Sequence, residues 1–203
     1  MSDINQLISI IIPVFNESES IGFLVDEVID VMAANKLNFE LIVVNDGSKD
    51  NTHKVLKQLT LKIKELLVIS LRKNYGQTAA MSAGFDHSKG DIVITLDGDL
   101  QNDPNDIPKL VSEINNGYDL ICGWRFDRKD KLINRKIPSK IANKLIAYVT
   151  GLRLHDYGCS LKAFKKEIID DIKLYGELHR FLPVLANIEG ARIKEIKVNH
   201  RNR

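Results

Sequence analysis

The sequence predicts an α/β fold, with a mostly parallel central sheet flanked by helices, and three observations predict it. Apolar runs of strand length alternate with segments of helical periodicity, which is the pattern of successive βαβ units. The runs are continuously apolar, as strands buried on both faces of a parallel sheet are. Each of the strongest runs empties into a polar turn, and in open α/β sheets such turns form the ligand crevice.

The first run is Leu7-Ile8-Ser9-Ile10-Ile11-Ile12-Pro13-Val14, a strand that leads into the polar turn Phe15-Asn16-Glu17-Ser18-Glu19-Ser20. Serines and acids there suit a helix start. Ile21, Leu24, Val25, Val28, Ile29 and Met32 then recur at helical spacing. A second strand over 39–44 ends in Asn45-Asp46-Gly47-Ser48, and residues 50–64 read as a helix. A third strand over 66–71 and a helix after Gly76 follow, the helix carrying Ala79, Ala80, Met81 and Ala83. The strand over 92–96 runs straight into Asp97-Gly98-Asp99. Beyond it the pattern predicts a helix over 104–116, a short strand over 119–123, a basic segment and a strand over 160–164. Helices over 165–173 and 178–190 and a last strand over 193–198 close the chain. With no internal repeat, low-complexity tract or Gly, Pro or Ser linker, the 203 residues read as one domain.

Composition bounds the function. With 44% apolar and 28% charged residues the chain is ordinary globular protein, not a disordered tail. A net charge of +2 argues against a dedicated nucleic-acid binder. Two cysteines make neither a disulfide framework nor a zinc cluster, which favours a reducing compartment. No apolar run approaches the roughly 18 residues of a membrane span, and no signal peptide is evident. The small net charge is an average. Residues 125–153 hold nine Lys and Arg against two Asp, a surplus of seven, so the remainder of the chain carries −5. Inside that segment Ile137, Ile141, Leu145, Tyr148 and Val149 fall on one helical stripe. A basic amphipathic helix of this kind suits a membrane surface, or equally packs its stripe on the core.

Asp97-Gly98-Asp99-Leu100-Gln101 is the sharpest chemical feature. Two carboxylates one residue apart, just after a buried strand, suit a divalent cation that bridges a diphosphate. Hard oxygen ligands of this kind favour Mg²⁺ or Mn²⁺, and Gln101 offers a neutral oxygen. Alone, the motif also describes a solvated acidic turn. A phosphatase of the haloacid-dehalogenase type wants Thr or Val where Gln101 stands. Asn45-Asp46-Gly47-Ser48-Lys49-Asp50 reads as a strand-to-helix turn, or as a place where Asp46 meets a nucleobase or ribose through charge-assisted hydrogen bonds. Cys122 and Cys159 read as buried small hydrophobes.

Taken together, Ile-Ile-Pro-Val-Phe-Asn-Glu, Asn-Asp-Gly-Ser-Lys-Asp-Asn-Thr, Arg72-Lys73-Asn74-Tyr75-Gly76 and Asp97-Gly98-Asp99-Leu100-Gln101 resemble family 2 glycosyltransferases of the GT-A fold, a Rossmann-like arrangement. Within them the chain is similar to the dolichol-phosphate mannose synthase and bactoprenol-phosphate glucosyltransferase branch. Gly123-Trp124-Arg125, Arg135-Lys136-Ile137-Pro138-Ser139, residues 156–162 (DYGCSLK) and His179-Arg180-Phe181-Leu182-Pro183 extend the likeness. Asn45 departs from it, since the family often has a second Asp there. The family also continues past residue 201 into a Gly-rich loop and often membrane helices. The chain stops at Arg203, which reads as a catalytic domain without those helices.

The resemblance implies a nucleotide-sugar half at about 1–103 and an acceptor half at about 104–203. It implies metal-dependent, inverting transfer of a hexose from a UDP- or GDP-sugar to a polyprenyl phosphate, at the cytoplasmic face of the membrane, by a peripheral protein or an anchored one. A homo-oligomer is compatible with it. Pro13, Phe15, Glu17, Asp46, Arg72 and Asp97 are expected to hold the donor, and Asp99 and Gln101 the Mg²⁺ or Mn²⁺. Asp97, Asp156 and Arg180 are expected at the reacting centre, Asp156 orienting the donor sugar or steering Arg180, and Arg180 meeting the leaving diphosphate. Arg125, Arg135 and Ser139 match positions that hold the acceptor phosphate. A phosphate monoester has its second pKa near 6, so at pH 7 it is a nucleophile that needs no base. The alternatives are a family 2 enzyme with a soluble sugar or polysaccharide acceptor, and a non-catalytic nucleotide-binding module recruited to membranes. The Gln-x-x-Arg-Trp motif of processive members is missing around Trp124.

Overall fold

The computed structural model describes residues 6–126, 150–172, 174 and 176–202. The first run forms strand β1 (Leu7–Val14), followed by α1 (Ile21–Ala34), β2 (Asn38–Asn45), α2 (Thr52–Thr60), β3 (Leu66–Ser70), α3 (Gln77–His87) and β4 (Ile92–Thr95). A 3-10 turn at Pro104–Asp106 leads into α4 (Ile107–Asn115) and β5 (Leu120–Arg125). The later described elements are β6 (Lys162–Lys165), α5 (Lys166–Asp171), a 3-10 turn at Leu178–Phe181, α6 (Leu182–Ile188) and β7 (Ile193–Val198). The basic amphipathic stripe, with Arg135 and Ser139, lies outside the described residues.

Two helices expected as single units are split, and proline is the reason. Pro108 and Pro183 each sit in the first turn of an α-helix, where a missing N–H costs nothing. The residues before them close 3-10 turns instead. The helix expected over 50–64 is shorter, ending at Thr60, and Leu61 beyond it is solvent-exposed.

The sheet runs β3-β2-β1-β4-β6-β5-β7 and is parallel except at β6, which is antiparallel to both β4 and β5. Its strands bury both faces. Ile8, Ile10, Ile12, Leu41, Val43, Ile92 and Ile94 point one way, towards Leu24, Val25 and Val28 of α1 and Leu110 and Ile114 of α4. Ile11, Ile42, Val44, Val93, Cys122 and Phe164 point the other way, towards Ala80, Met81 and Phe85 of α3 and Leu182 of α6. That alternation inside continuously apolar runs is why periodicity alone showed no face. On the second face α3 comes very close to β1. A Cβ on Gly84 would stand 2.4 Å from the Ile11 side chain, so only glycine fits there.

Parallel register brings the ends of β1, β2, β3 and β4 to one edge, where Val14 pairs with Asn45 and Asn45 with Ser70. The reversed β6 delivers its first residue to that edge, Lys162 opposite both Thr95 and Cys122.

The opposite edge is tied by Asp119. Its carboxylate accepts from the Arg192 backbone N–H at 2.8 Å, the Arg192 guanidinium at 3.1 Å and the Lys165 ammonium at 2.7 Å. Arg192 first, and then Lys165, hold the Asp119 carboxyl well below the usual carboxylate range against the opposing effect of burial. Because the folded value is depressed, this stabilisation is complete above the unfolded value of about 3.9 and is lost as pH falls through the folded one. Asp119→Asn therefore unfolds at lower urea concentration than the wild type at pH 7, and the gap narrows at pH 3. An unchanged gap would mean that Asp119 does not act through its charge.

Candidate functional site

Two loops build one end of the site at this sheet edge. Asn16, at positive φ, donates its backbone N–H to the Ser48 hydroxyl at 2.9 Å, and its side-chain oxygen accepts from the Lys49 N–H at 2.8 Å. The Glu17 N–H donates to the Thr52 hydroxyl at 2.9 Å. Thr52 in turn donates to Asp50. Burial works against ionisation of Asp50, but its hydrogen bonds from Thr52 and Ser18 win and bring its carboxyl down to about 2. Asn45, the residue that departs from the family pattern, accepts from the Ser48 N–H at 3.0 Å and so closes the turn with its amide oxygen.

Asp46 is buried, and its two oxygens accept from the backbone N–H groups of Tyr75 at 2.7 Å and Gly76 at 2.9 Å. It thereby fastens the loop before α3 to the end of β2. Gly47 makes the junction possible. It has φ +64, and a Cβ there would lie 2.3 Å from the Lys73 backbone.

Pro13, Val14, Phe15, Glu17, Asp46, Asn74, Gly76, Gln77, Asp97, Gly98 and Asp99 surround a cavity of about 260 Å³. The structure thus gathers Pro13, Phe15, Glu17, Asp46, Asp97 and Asp99 in one place, from three loops. Exposed Arg72 does not line this cavity. Neither does Gln101, whose backbone N–H donates to Asp99 at 3.1 Å across the positive-φ residue Leu100.

A second cavity of about 340 Å³ adjoins, lined by Met81, Arg125, Tyr157, Ser160, Lys162, His179 and Arg180 among others. Gln77 and Asp97 line both cavities. They are also bonded to each other, the Gln77 amide donating to Asp97 at 2.7 Å. The Asp97 backbone is fixed from behind. Its N–H donates to the Asn102 amide oxygen, which also accepts from the Ser160 hydroxyl at 2.7 Å, while Thr95 donates to the Ser160 carbonyl.

Arg125 and Asp156 form a bidentate pair at 2.7 and 2.9 Å, and Asp156 also accepts from the Gly158 N–H. Asp156 is thus paired with Arg125 and does not itself line the second cavity. Buried His179 shares a 2.6 Å hydrogen bond with the Thr78 hydroxyl. Burial, and then the neighbouring Arg180 charge, push its imidazole down, so it is neutral at pH 7. Sequence reasoning missed Gln77, Asn102 and Lys162. Gln77 carries no motif signal, Asn102 was visible only as the neighbour of Gln101, and Lys162 only as the last residue of the 156–162 motif, with no role attached.

A family model described as glycosyl transferase family 2 matches residues 9–173. The chain is 47% identical to a dodecaprenyl-phosphate galacturonate synthase of Rhizobium johnstonii, over 97% of this chain and 59% of the relative. It is 42% identical to an undecaprenyl-phosphate 4-deoxy-4-formamido-L-arabinose transferase of Proteus mirabilis, over 97% and 60%. The chain thus spans about three fifths of the length of these relatives. Among solved structures it resembles the mannosyl-3-phosphoglycerate synthase of Rubrobacter xylanophilus, with TM-score 0.78 at 15% identity, over 98% of this chain and 68% of that one. It also resembles the glucosyl-3-phosphoglycerate synthase of Mycobacterium tuberculosis in complex with Mn²⁺ and UDP-glucose, with TM-score 0.70 at 21% identity, over 98% and 72%. These likenesses give the fold, GT-A.

Gly47→Ala tests whether the first cavity depends on the Asp46 clamp. The added methyl group must push the 73–76 loop outward, so affinity for UDP or GDP, read by calorimetry, falls at least tenfold while the cooperative thermal transition persists. Unchanged affinity would separate the clamp from nucleotide binding.

Proposed function

The chain belongs to glycosyl transferase family 2, and from that membership we propose that it transfers a sugar from a nucleotide diphosphate to a polyprenyl phosphate. One observation carries the reading: an acid-lined cavity and a cation-lined cavity meet at Asp97 and Gln77. A nucleotide sugar laid across that junction has its diphosphate on the first side and its anomeric carbon facing the second. The names of both relatives, polyprenyl-phosphate sugar transferases, support the acceptor.

Glu17, Asp46 and the Phe15 ring hold the nucleotide, and Asp97, braced by Gln77 and Asn102, fixes the sugar. Asp99, with Asp97 beside it and Gln101 behind it, is the residue to hold a divalent cation. Two carboxylates, both lining a cavity of about 260 Å³, fit Mg²⁺ or Mn²⁺, which commonly take one or two carboxylates and complete their shell with substrate phosphates and water. When bound, the ion supplies positive charge to the leaving diphosphate.

The acceptor phosphate enters the second cavity as a dianion. One of its oxygens forms a bond to the anomeric carbon as the bond from that carbon to the diphosphate oxygen breaks. Attack from the face opposite the leaving group inverts the configuration, and the nucleoside diphosphate departs with the bonding pair. No proton moves, so the second cavity needs cations rather than a base. Arg125, locked in place by Asp156, meets the acceptor, and Arg180 meets charge that develops on the leaving side. Arg135 and Ser139 belong to the same acceptor set on sequence grounds. The basic 125–153 segment suits the anionic cytoplasmic leaflet, where a polyprenyl phosphate would be presented. No helix among the described residues is long and apolar enough to cross a membrane.

The test is a screen of radiolabelled UDP- and GDP-sugars with a short-chain polyprenyl phosphate, with and without EDTA. Label is expected in the lipid phase, EDTA is expected to abolish it, and Asp99→Ala is expected to lower turnover by at least a hundredfold. Label transferred only to soluble sugars would overturn the acceptor, and wild-type turnover in Asp99→Ala would overturn the metal site.

A further inference from the structure

Strand β6 begins with a lysine in an unusual place. Lys162 is only 4% exposed, and its backbone pairs with Thr95 of β4 on one side and Cys122 of β5 on the other. Its ammonium donates to the Cys159 carbonyl, which occupies one of three donors. Lysine is almost never this buried without a counter-charge, because desolvating an ammonium is costly. Yet among the described residues Lys162 makes no ion pair.

The nearby acids do not supply one. Burial pushes the Cys122 thiol up to about 12 and the Cys159 thiol up to about 11, so both are neutral. Asp156 is taken by Arg125, and Asp97 shares an oxygen with Gln77. The second cavity is therefore lined by three cations, Arg125, Lys162 and Arg180, of which Arg125 has its own carboxylate partner. Among the described residues, Lys162 and Arg180 are the two of these cations with no carboxylate in ion-pair distance.

We propose that Lys162 is a binding residue for the acceptor's phosphate, its buried ammonium receiving an anionic oxygen at the floor of the second cavity. The assignment rests on the polyprenyl-phosphate reading above and adds a residue to it. A dianion there completes the charge balance that the fold leaves open. An ammonium out of water also binds an anion more strongly than an exposed one does, since water no longer competes.

Two variants test it in the wild-type chain background. Lys162→Gln keeps a donor for the Cys159 carbonyl and removes the charge. Lys162→Arg keeps the charge. Steady-state kinetics are measured with the donor the wild type uses and with a short-chain polyprenyl phosphate, and inorganic phosphate serves as competitor. Lys162→Gln is expected to raise the acceptor KM and the inhibition constant of inorganic phosphate roughly ten- to hundredfold, as loss of one charge-assisted hydrogen bond does, with donor KM within about twofold. Lys162→Arg is expected to recover most of that loss. A raised donor KM with unchanged acceptor KM would assign Lys162 to the donor's diphosphate and overturn the proposal. So would unchanged constants with a lowered melting temperature, which would make it a brace for the Cys159 carbonyl. A wild type that transfers nothing to the lipid phosphate overturns the acceptor reading and this proposal together. Wild-type transfer with an indifferent Lys162→Gln overturns this proposal alone.

Discussion

Everything at the candidate site depends on one reversal of chain direction. Six described strands run the same way, which places the ends of β1, β2, β3 and β4 on one edge. Those ends supply acids and small polar residues: Asn45, Asp46, Asp97 and Asp99. A strictly parallel β6 would have left its start at the far edge, with Lys165 nearest the site. Run antiparallel, it sets Lys162 against Thr95, and the preceding Ser160 joins the hydrogen bonds that fix Asn102 and Asp97. The same turn carries Asp156 to Arg125 at the end of β5. One strand direction thus brings a cationic wall to an acidic rim.

The parallel half was legible because its signals are local. Continuous apolar runs, each followed by a polar turn, announce strands buried on two faces, and parallel order then forces their ends together. That argument alone groups Glu17, Asp46, Asp97 and Asp99. The second half resisted because its determinants are not local. Nothing in Lys-Ala-Phe-Lys states a direction, and a four-residue strand has no periodicity to weigh. The pairing of Asp156 with Arg125 depends on that direction, and the sequence alone offers Asp156 only the donor sugar or Arg180. Gln77 was invisible for another reason. It is the first residue of a helix that otherwise reads as a packing element, and only the packing of α3 on β1, the neighbour of β4, brings it to Asp97.

The near-zero net charge of the chain conceals a spatial separation. Carboxylates crowd the first cavity and basic groups the second, with Asp97 and Gln77 between them. Such a field orients a substrate that is itself polar from end to end, and it does so before any contact is made. A divalent cation at the acidic rim would reverse the local sign there, so that both ends of a glycosyl-transfer geometry would be positive. The carboxylates would then serve the ion, and the ion the diphosphate.

The distribution of fixed charge also bears on the kind of nucleophile the second cavity suits. An acceptor hydroxyl must lose a proton as it attacks, and a nearby base does this best where its own protonated form is not penalised. Around the second cavity a proton carrier would meet Arg125, Lys162 and Arg180, and His179 is held neutral by burial and by Arg180. A group that arrives already anionic gains from the same surroundings. Its charge falls as the new bond forms, so cations that bind it in the ground state must not hold it too tightly. The Asp156 carboxylate moderates Arg125 in this way, with both partners largely buried and fixed by two hydrogen bonds. An arginine whose charge is half answered can orient a phosphate without arresting it, while Lys162, more deeply buried, has no ion pair among the described residues. On this reading, the order of the cations from rim to floor sets both the affinity for the acceptor and its freedom to react.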